Sequence, residues 1–104
     1  MVNLDSILRE YNLKLFTINF NEIESGYNLK DTFSAVSVNK KEIYIPENFS
    51  NKYKRISIVQ SLFNYINNQE QQDSEGFIIN KSLYHNDIVF KHFLLNLLLP
   101  TDKF

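Results

Sequence analysis

The strongest pattern in the chain is a run of apolar residues at helical spacing near its middle. Within residues 52–67 the apolar positions recur three and four residues apart, at Ile56, Val59, Leu62, Phe63 and Ile66. This spacing places them on one face of an α-helix. Ser50 or Asn51, just upstream, is suited to cap the first turn. We therefore predict an amphipathic central helix with one buried face.

Upstream of this helix, the pattern changes to alternation and predicts strands. Residues 13–20 alternate, with Phe16, Ile18 and Phe20 on one face. Residues 32–38 and 42–45 have the composition of two further strands, and the short polar turn between them favours an antiparallel hairpin. A short helix capped by Asn3 precedes all three. We predict a small α+β domain with an N-terminal helix and an antiparallel three-stranded sheet.

The part of the chain after the central helix is first polar and then strongly apolar. Residues 67–76 contain no apolar side chain and predict a surface loop that Gly76 ends. Residues 77–79 are apolar and predict a short strand or an extended segment that returns to the core.

Residues 87–99 predict a C-terminal helix that is apolar around nearly its whole circumference. Past its cap only Lys91, His92 and Asn96 interrupt the apolar positions. Such a helix is normally buried on most sides. Two interpretations stay open: the N-terminal helix and the sheet cover it fully, or part of it remains a contact surface, including for a homodimer.

Composition narrows the class of protein. The 104 residues, 43% of them hydrophobic, suffice for one domain spanning 1–104. The formal net charge of -1 gives no overall attraction to nucleic acid or to a membrane surface. There is no cysteine, which excludes disulfides and thiol chemistry, and no basic-then-apolar leader. We expect a cytoplasmic protein with no direct nucleic-acid partner.

Four short motifs, in this order along the chain, resemble those of a known family. They are EIYIP at 42–46, ENFSNKYKR at 47–55, RISIVQSLFNYI at 55–66 and LLLPTDKF at 97–104. Together they resemble the ImmA/IrrE family of zinc-metallopeptidase-like domains, whose first helix carries a pattern like R-F-T-x-A-H-E-x-x-H-Y and whose second helix ends in L-L-M-P. The resemblance implies a zincin-like domain in which the central helix stands where the active-site helix would be.

The metal-binding motif of that family is degenerate in this chain. Where the family has His-Glu-x-x-His, the sequence reads Gln60-Ser61-Leu62-Phe63-Asn64. In the intact motif the two histidines, one turn apart, ligate zinc, and the glutamate polarises the attacking water. Carboxamides do not replace imidazole as zinc ligands, and a serine is not a general base. The resemblance therefore implies a pseudoenzyme without metal, cofactor or catalysis.

The remaining candidate ligands do not restore a metal site. Counting back from the LLLP motif, the third ligand of the family falls at Asp87 or Val89, and the sequence does not choose between them. Asp87 is also suited to cap the last helix. His85 and His92 are seven residues apart, whereas histidine ligands on one helix lie three or four apart.

The resemblance also implies a function. Members of the family look like regulators that relieve repression by acting on helix-turn-helix repressors, often of phages and mobile elements. A member without metal is expected to bind such a repressor by occupancy, as an antirepressor. The candidate partner-binding residues are Gln60, Phe63, Asn64, His92 and Asn96. The alternatives are an inhibitor of a host defence protein or toxin, and a metallopeptidase with displaced ligands.

Overall fold

The computed structural model describes residues 3–23, 26 and 28–81. The elements follow in this order: α1 (Leu4–Glu10), β1 (Lys14–Ile18), β2 (Ser34–Ser37), β3 (Glu42–Pro46), α2 (Asn51–Asn67) and β4 (Phe77–Asn80), with 3₁₀ turns at Phe20–Glu22 and Gln69–Gln71. This part of the chain is therefore an α+β domain with two α-helices and one four-stranded mixed sheet. The predicted C-terminal helix, 87–99, lies outside the described residues.

Both predicted helices in this part of the chain are confirmed, together with their caps. The Asn3 side chain accepts a hydrogen bond from the Asp5 amide at 3.0 Å, and the Ser50 side chain accepts one from the Tyr53 amide at 3.4 Å. Each bond satisfies an amide that the first turn of a helix leaves without an intrahelical acceptor. The helix boundaries are thus set by local side-chain chemistry.

The sheet differs from the predicted three-stranded antiparallel arrangement. Its strand order is β1-β3-β2-β4. The predicted hairpin is confirmed, because β2 and β3 pair antiparallel with Val36 opposite Ile43. However, β1 runs parallel to β3, with Phe16 opposite Tyr44, and β4 adds a fourth strand antiparallel to β2. The prediction of a three-stranded antiparallel sheet is therefore wrong in the number of strands and in the direction of β1, whereas the short strand predicted at 77–79 is confirmed as β4.

The connection between β1 and β2 explains the parallel pairing. Because β4 pairs with the outer edge of β2, the edge of the hairpin left for β1 is that of β3. The chain leaves β1 at Ile18, passes the end of β3 and enters β2 at Ser34. Alternation of apolar and polar side chains predicts that a segment is a strand, but it does not predict whether the strand pairs parallel or antiparallel.

One face of the sheet and the two helices enclose the hydrophobic core. Register places Val36, Ile43 and Ile78 on the same face, where they are buried. They form one cluster with Val59 and Leu62 of α2 and with residues of α1. Burial of apolar side chains here contributes roughly 25 cal/mol per Å² removed from water.

The middle of α2 is enclosed on every side. All eight residues from Ser57 to Asn64 are buried, including four polar ones. The expectation of one buried face is therefore too narrow, and Ile66, assigned to that face, is 38% exposed. Two of the four polar side chains, those of Ser57 and Asn64, hydrogen-bond to groups just before β2 and at the end of β4.

The connection between β1 and β2 is held to the end of β4 by a lysine. The Lys81 ammonium donates to the carbonyl oxygens of Asn28 and Lys30 at 2.6 and 2.5 Å, and to the Thr32 hydroxyl at 3.2 Å. A charged donor makes stronger hydrogen bonds than a neutral one. These bonds fix residues 28–32 against the face of the sheet that is opposite to α2.

No helix in the described part of the chain is long and apolar enough to cross a membrane.

The two glycines allow a test of whether the turn that precedes β4 requires a glycine at position 76. Gly76 has φ +88°, and a Cβ added there would lie 2.5 Å from the Asn39 Nδ2 atom, whereas a Cβ on Gly26 meets nothing within 4 Å. We expect Gly76→Ala to lower the free energy of unfolding by about 1–3 kcal/mol in urea titrations. Gly26→Ala is the control and should change it by less than about 1 kcal/mol. Equal losses would contradict this account.

Candidate functional site

The helix positions that correspond to the metal-binding motif lie inside the domain. Gln60, Phe63 and Asn64 are all buried in the middle of α2. Three of the five candidate partner-binding residues are thus not presented to solvent in this conformation. The other two, His92 and Asn96, lie outside the described residues.

Asn64 is bonded into the fold on both sides of its carboxamide. Its Nδ2 atom donates to the Asn80 Oδ1 atom at 2.6 Å, which joins α2 to the end of β4. Its Oδ1 atom accepts from the Asn68 Nδ2 atom one turn later, at 3.3 Å. A buried carboxamide without such partners would cost free energy. The side chain at the second histidine position therefore has a structural use.

Small polar residues line the contact between α2 and β2. The Ser57 hydroxyl donates to the Phe33 carbonyl at 2.7 Å. Ser34 and Ser61 are buried nearby, and their hydroxyls have no hydrogen-bond partner within the described ranges. Ser61 stands where the resemblance would place the catalytic glutamate. A small neutral hydroxyl at this position fits between a helix and a sheet, where an ionised carboxylate would be costly.

These residues do not fit a zinc ion. Gln60 and Asn64 offer amide oxygens and nitrogens, which are poor zinc ligands, and both polar atoms of Asn64 are already bonded within the protein. The part of the chain that the structure describes contains no group of three or more His, Cys, Asp or Glu residues able to hold a metal. Asp87, Val89 and His85, considered as ligands above, lie outside it.

The face of the sheet opposite to α2 carries an apolar groove that sequence reasoning missed. Its volume is about 240 Å³. It is lined by side chains from all four strands and from the connection between β1 and β2: Ile18, Phe20, Ile23, Leu29, Ala35, Tyr44, Phe77 and Ile79. The alternation of Phe16, Ile18 and Phe20 contained part of this information, because it placed three apolar side chains on one face of the first strand. The wall formed by Ile23 and Leu29 could not be inferred, since it depends on how the connection folds over the sheet.

Tyr44 links this groove to the edge of the sheet. Its ring stacks on Phe16, with ring centres 5.7 Å apart, and its hydroxyl donates a short hydrogen bond to the Glu42 carboxylate. Burial, and then the hydrogen bond and the negative charge of Glu42, raise the pKa of Tyr44 to about 12. The tyrosine is therefore held in its neutral, hydrogen-bonding form well above neutral pH.

Comparison with protein-family models, with curated proteins and with solved structures finds no match. The resemblance to the ImmA/IrrE family rests on the sequence motifs alone.

A double-mutant cycle tests the bond between α2 and β4. We expect Asn64→Ala to lower the free energy of unfolding by about 1–3 kcal/mol, because it removes a buried hydrogen-bonded group. Asn80→Ala should cost less once Asn64 has been replaced, with a coupling energy of about 1 kcal/mol measured by urea denaturation. The exposed Asn67→Ala is the control. Additive losses for the pair would show that the bond contributes nothing.

The raised pKa of Tyr44 predicts that the domain loses stability in alkaline solution. Its pKa is raised from 10.0 to about 12, so its contribution to folding is complete below pH 10 and is lost as the pH rises through about 12. The free energy of unfolding of the wild type should therefore fall more steeply over this range than that of Tyr44→Phe, measured by denaturation at stepped pH. The exposed Tyr53→Phe is the control and should keep the wild-type slope. Parallel curves for wild type and Tyr44→Phe would refute the assignment.

Proposed function

We propose that this chain is a metallopeptidase-like domain that binds a protein partner without cutting it. The observation that carries the proposal is the use made of the motif positions in α2. Gln60, Ser61 and Asn64 are buried, and Asn64 is hydrogen-bonded to Asn80 and Asn68. A buried carboxamide that is already hydrogen-bonded within the fold, as that of Asn64 is, is not available to ligate a metal.

The apolar groove supports binding as the activity. Its volume of about 240 Å³ is below the range of about 300–1,000 Å³ that small-molecule sites occupy. A groove of this size suits one or two apolar side chains of a protein partner instead. Such anchors supply most of the free energy of a protein interface. Ile23, at 40% exposure, lies at its rim and is accessible to a partner.

The class of partner comes from the resemblance to the ImmA/IrrE family. We propose a helix-turn-helix repressor of a phage or mobile element, which this chain would sequester as an antirepressor. Such binding is stoichiometric, since nothing is turned over, so the protein would have to be present in amounts comparable to its target. Candidate contacts on the groove are the apolar side chains of its lining, and the residues His92 and Asn96 remain candidates from the sequence.

A pull-down with matched variants tests the proposal. Ile23→Asp places a carboxylate in the groove, whereas Ile66→Asp makes the same change at a similarly exposed isoleucine on α2. We expect tagged wild type and Ile66→Asp to recover the same partner from lysate of the source cell. Ile23→Asp should recover at least about tenfold less, since a charge in an apolar anchor pocket costs more than 1 kcal/mol. Mass spectrometry identifies the partner.

Two results would contradict the proposal in different ways. Stoichiometric zinc in the purified protein, by elemental analysis, would contradict the loss of the metal site. Equal recovery by both aspartate variants would remove the groove as the contact. Recovery of a nuclease or toxin in place of a repressor would keep binding as the activity and would replace the class of partner.

A further inference from the structure

The strand β1 forms an open edge of the sheet. Among the strands of residues 3–81 that the structure describes, it pairs with β3 on one side only, and four of its five residues are exposed. Leu15 and Phe16, at its centre, are 36% and 40% exposed. Proteins usually protect such edges with proline, a bulge or central charges. Here the only charged residue is Lys14, at the end of the strand.

The hydrogen bonds to β3 show which backbone groups of β1 are left for another strand. The Lys14 amide donates to the Lys41 carbonyl at 2.9 Å, and the Ile18 carbonyl accepts from the Glu47 amide at 2.9 Å. In a parallel pair alternate residues bond to the same neighbour. Lys14, Phe16 and Ile18 therefore bond toward β3, and the amides and carbonyls of Leu15 and Thr17 point outward.

The two ends of this edge carry opposite charge. Lys14 and the turn residues Lys40 and Lys41 lie at one end, where β1 and β3 begin. Glu47 follows β3 at the other end, and Glu22 belongs to the turn directly after β1. These five side chains are exposed, whereas Glu42, which lies opposite Lys14 at the lysine end, is half-buried and accepts a hydrogen bond from Tyr44. Charges separated by no more than about one Debye length, ~8 Å at physiological salt, still attract each other in solution.

We propose that β1 pairs antiparallel with β1 of a second copy of this chain, across a two-fold axis at Phe16. In this register Leu15 of one copy faces Thr17 of the other, and each such pair exchanges two backbone hydrogen bonds. The four bonds use every outward amide and carbonyl of Leu15 and Thr17 in both copies. Phe16 then faces its own copy at a position without hydrogen bonds, where side chains lie closest.

The charge pattern favours a second copy over an unrelated extended peptide. An antiparallel two-fold pairing brings the lysine end of each edge beside the carboxylate end of the other. The edge is thus complementary to itself, as a two-fold interface requires. The two sheets become one continuous sheet of eight strands, since each copy contributes the four described here. The pairing uses the outward backbone groups of Leu15 and Thr17, which do not line the groove, and it does not depend on the proposed function.

The first part of the test removes one outward amide. Thr17→Pro deletes an N–H that the fold itself does not use, and Thr17→Val keeps that N–H with a side chain of similar shape. Sedimentation velocity from low micromolar to millimolar protein should show a monomer–dimer equilibrium for wild type and Thr17→Val. Thr17→Pro should remain monomeric over the same range, with its circular dichroism spectrum reporting that it is folded. A monomeric wild type, or a folded Thr17→Pro that dimerises like wild type, would overturn the proposal.

The second part uses charge and does not depend on the proline variant. One variant carries Lys14→Glu and Lys40→Glu, and the other carries Glu22→Lys and Glu47→Lys. Each should form homodimers about tenfold more weakly than wild type at low salt, because like charges then meet at both ends. An equimolar mixture of the two should recover dimerisation, since each end meets its opposite charge again. Failure of the mixture to associate more strongly than either variant alone would overturn the two-fold arrangement.

Discussion

The packing of α2 against one face of the sheet is the interaction on which the rest of the structure depends. The contact has an apolar part, in which Val59 and Leu62 meet Val36 and Ile43. Apolar contact is non-directional and would allow the helix to rotate about its axis. The bonds from Ser57 to the Phe33 carbonyl and from Asn64 to Asn80 are directional. They fix the rotation of the helix about its own axis. They join the helix to Phe33, just before β2, and to Asn80 at the end of β4.

The buried polar residues of α2 are Ser57, Gln60, Ser61 and Asn64. The last three fall within the segment that resembles the His-Glu-x-x-His motif. The resemblance would place Gln60, Ser61 and Asn64 beside a metal, whereas in this structure they are buried within the domain. The serines are small, the Nδ2 and Oδ1 atoms of Asn64 each make a hydrogen bond, and the residues from Ser57 to Asn64 are all buried. The hydrogen-bonded side chains of Ser57 and Asn64 thus contribute to the attachment of α2 to the sheet.

Local interactions were the part of the structure that the sequence predicted well. The caps at Asn3 and Ser50 and the hairpin of β2 and β3 each involve residues close together in the chain. The direction of β1 and the bond between Asn64 and Asn80 join distant segments, and no periodicity encodes them. Burial of Gln60 and Asn64 was missed because polar residues on a helix are usually solvated. The groove was missed because Lys81 holds the connection between β1 and β2 over the sheet.

The parallel pairing of β1 has a consequence for the order in which the chain folds. The hairpin brings together strands joined by a short turn, whereas Lys14 and its partner Glu42 are 28 residues apart. The entropy of closing a loop rises with its length, and contacts between distant residues slow folding. We therefore expect the hairpin to form first and β1 to attach to its β3 edge afterwards. During synthesis, β1 is made first but can pair only after β3 has been made.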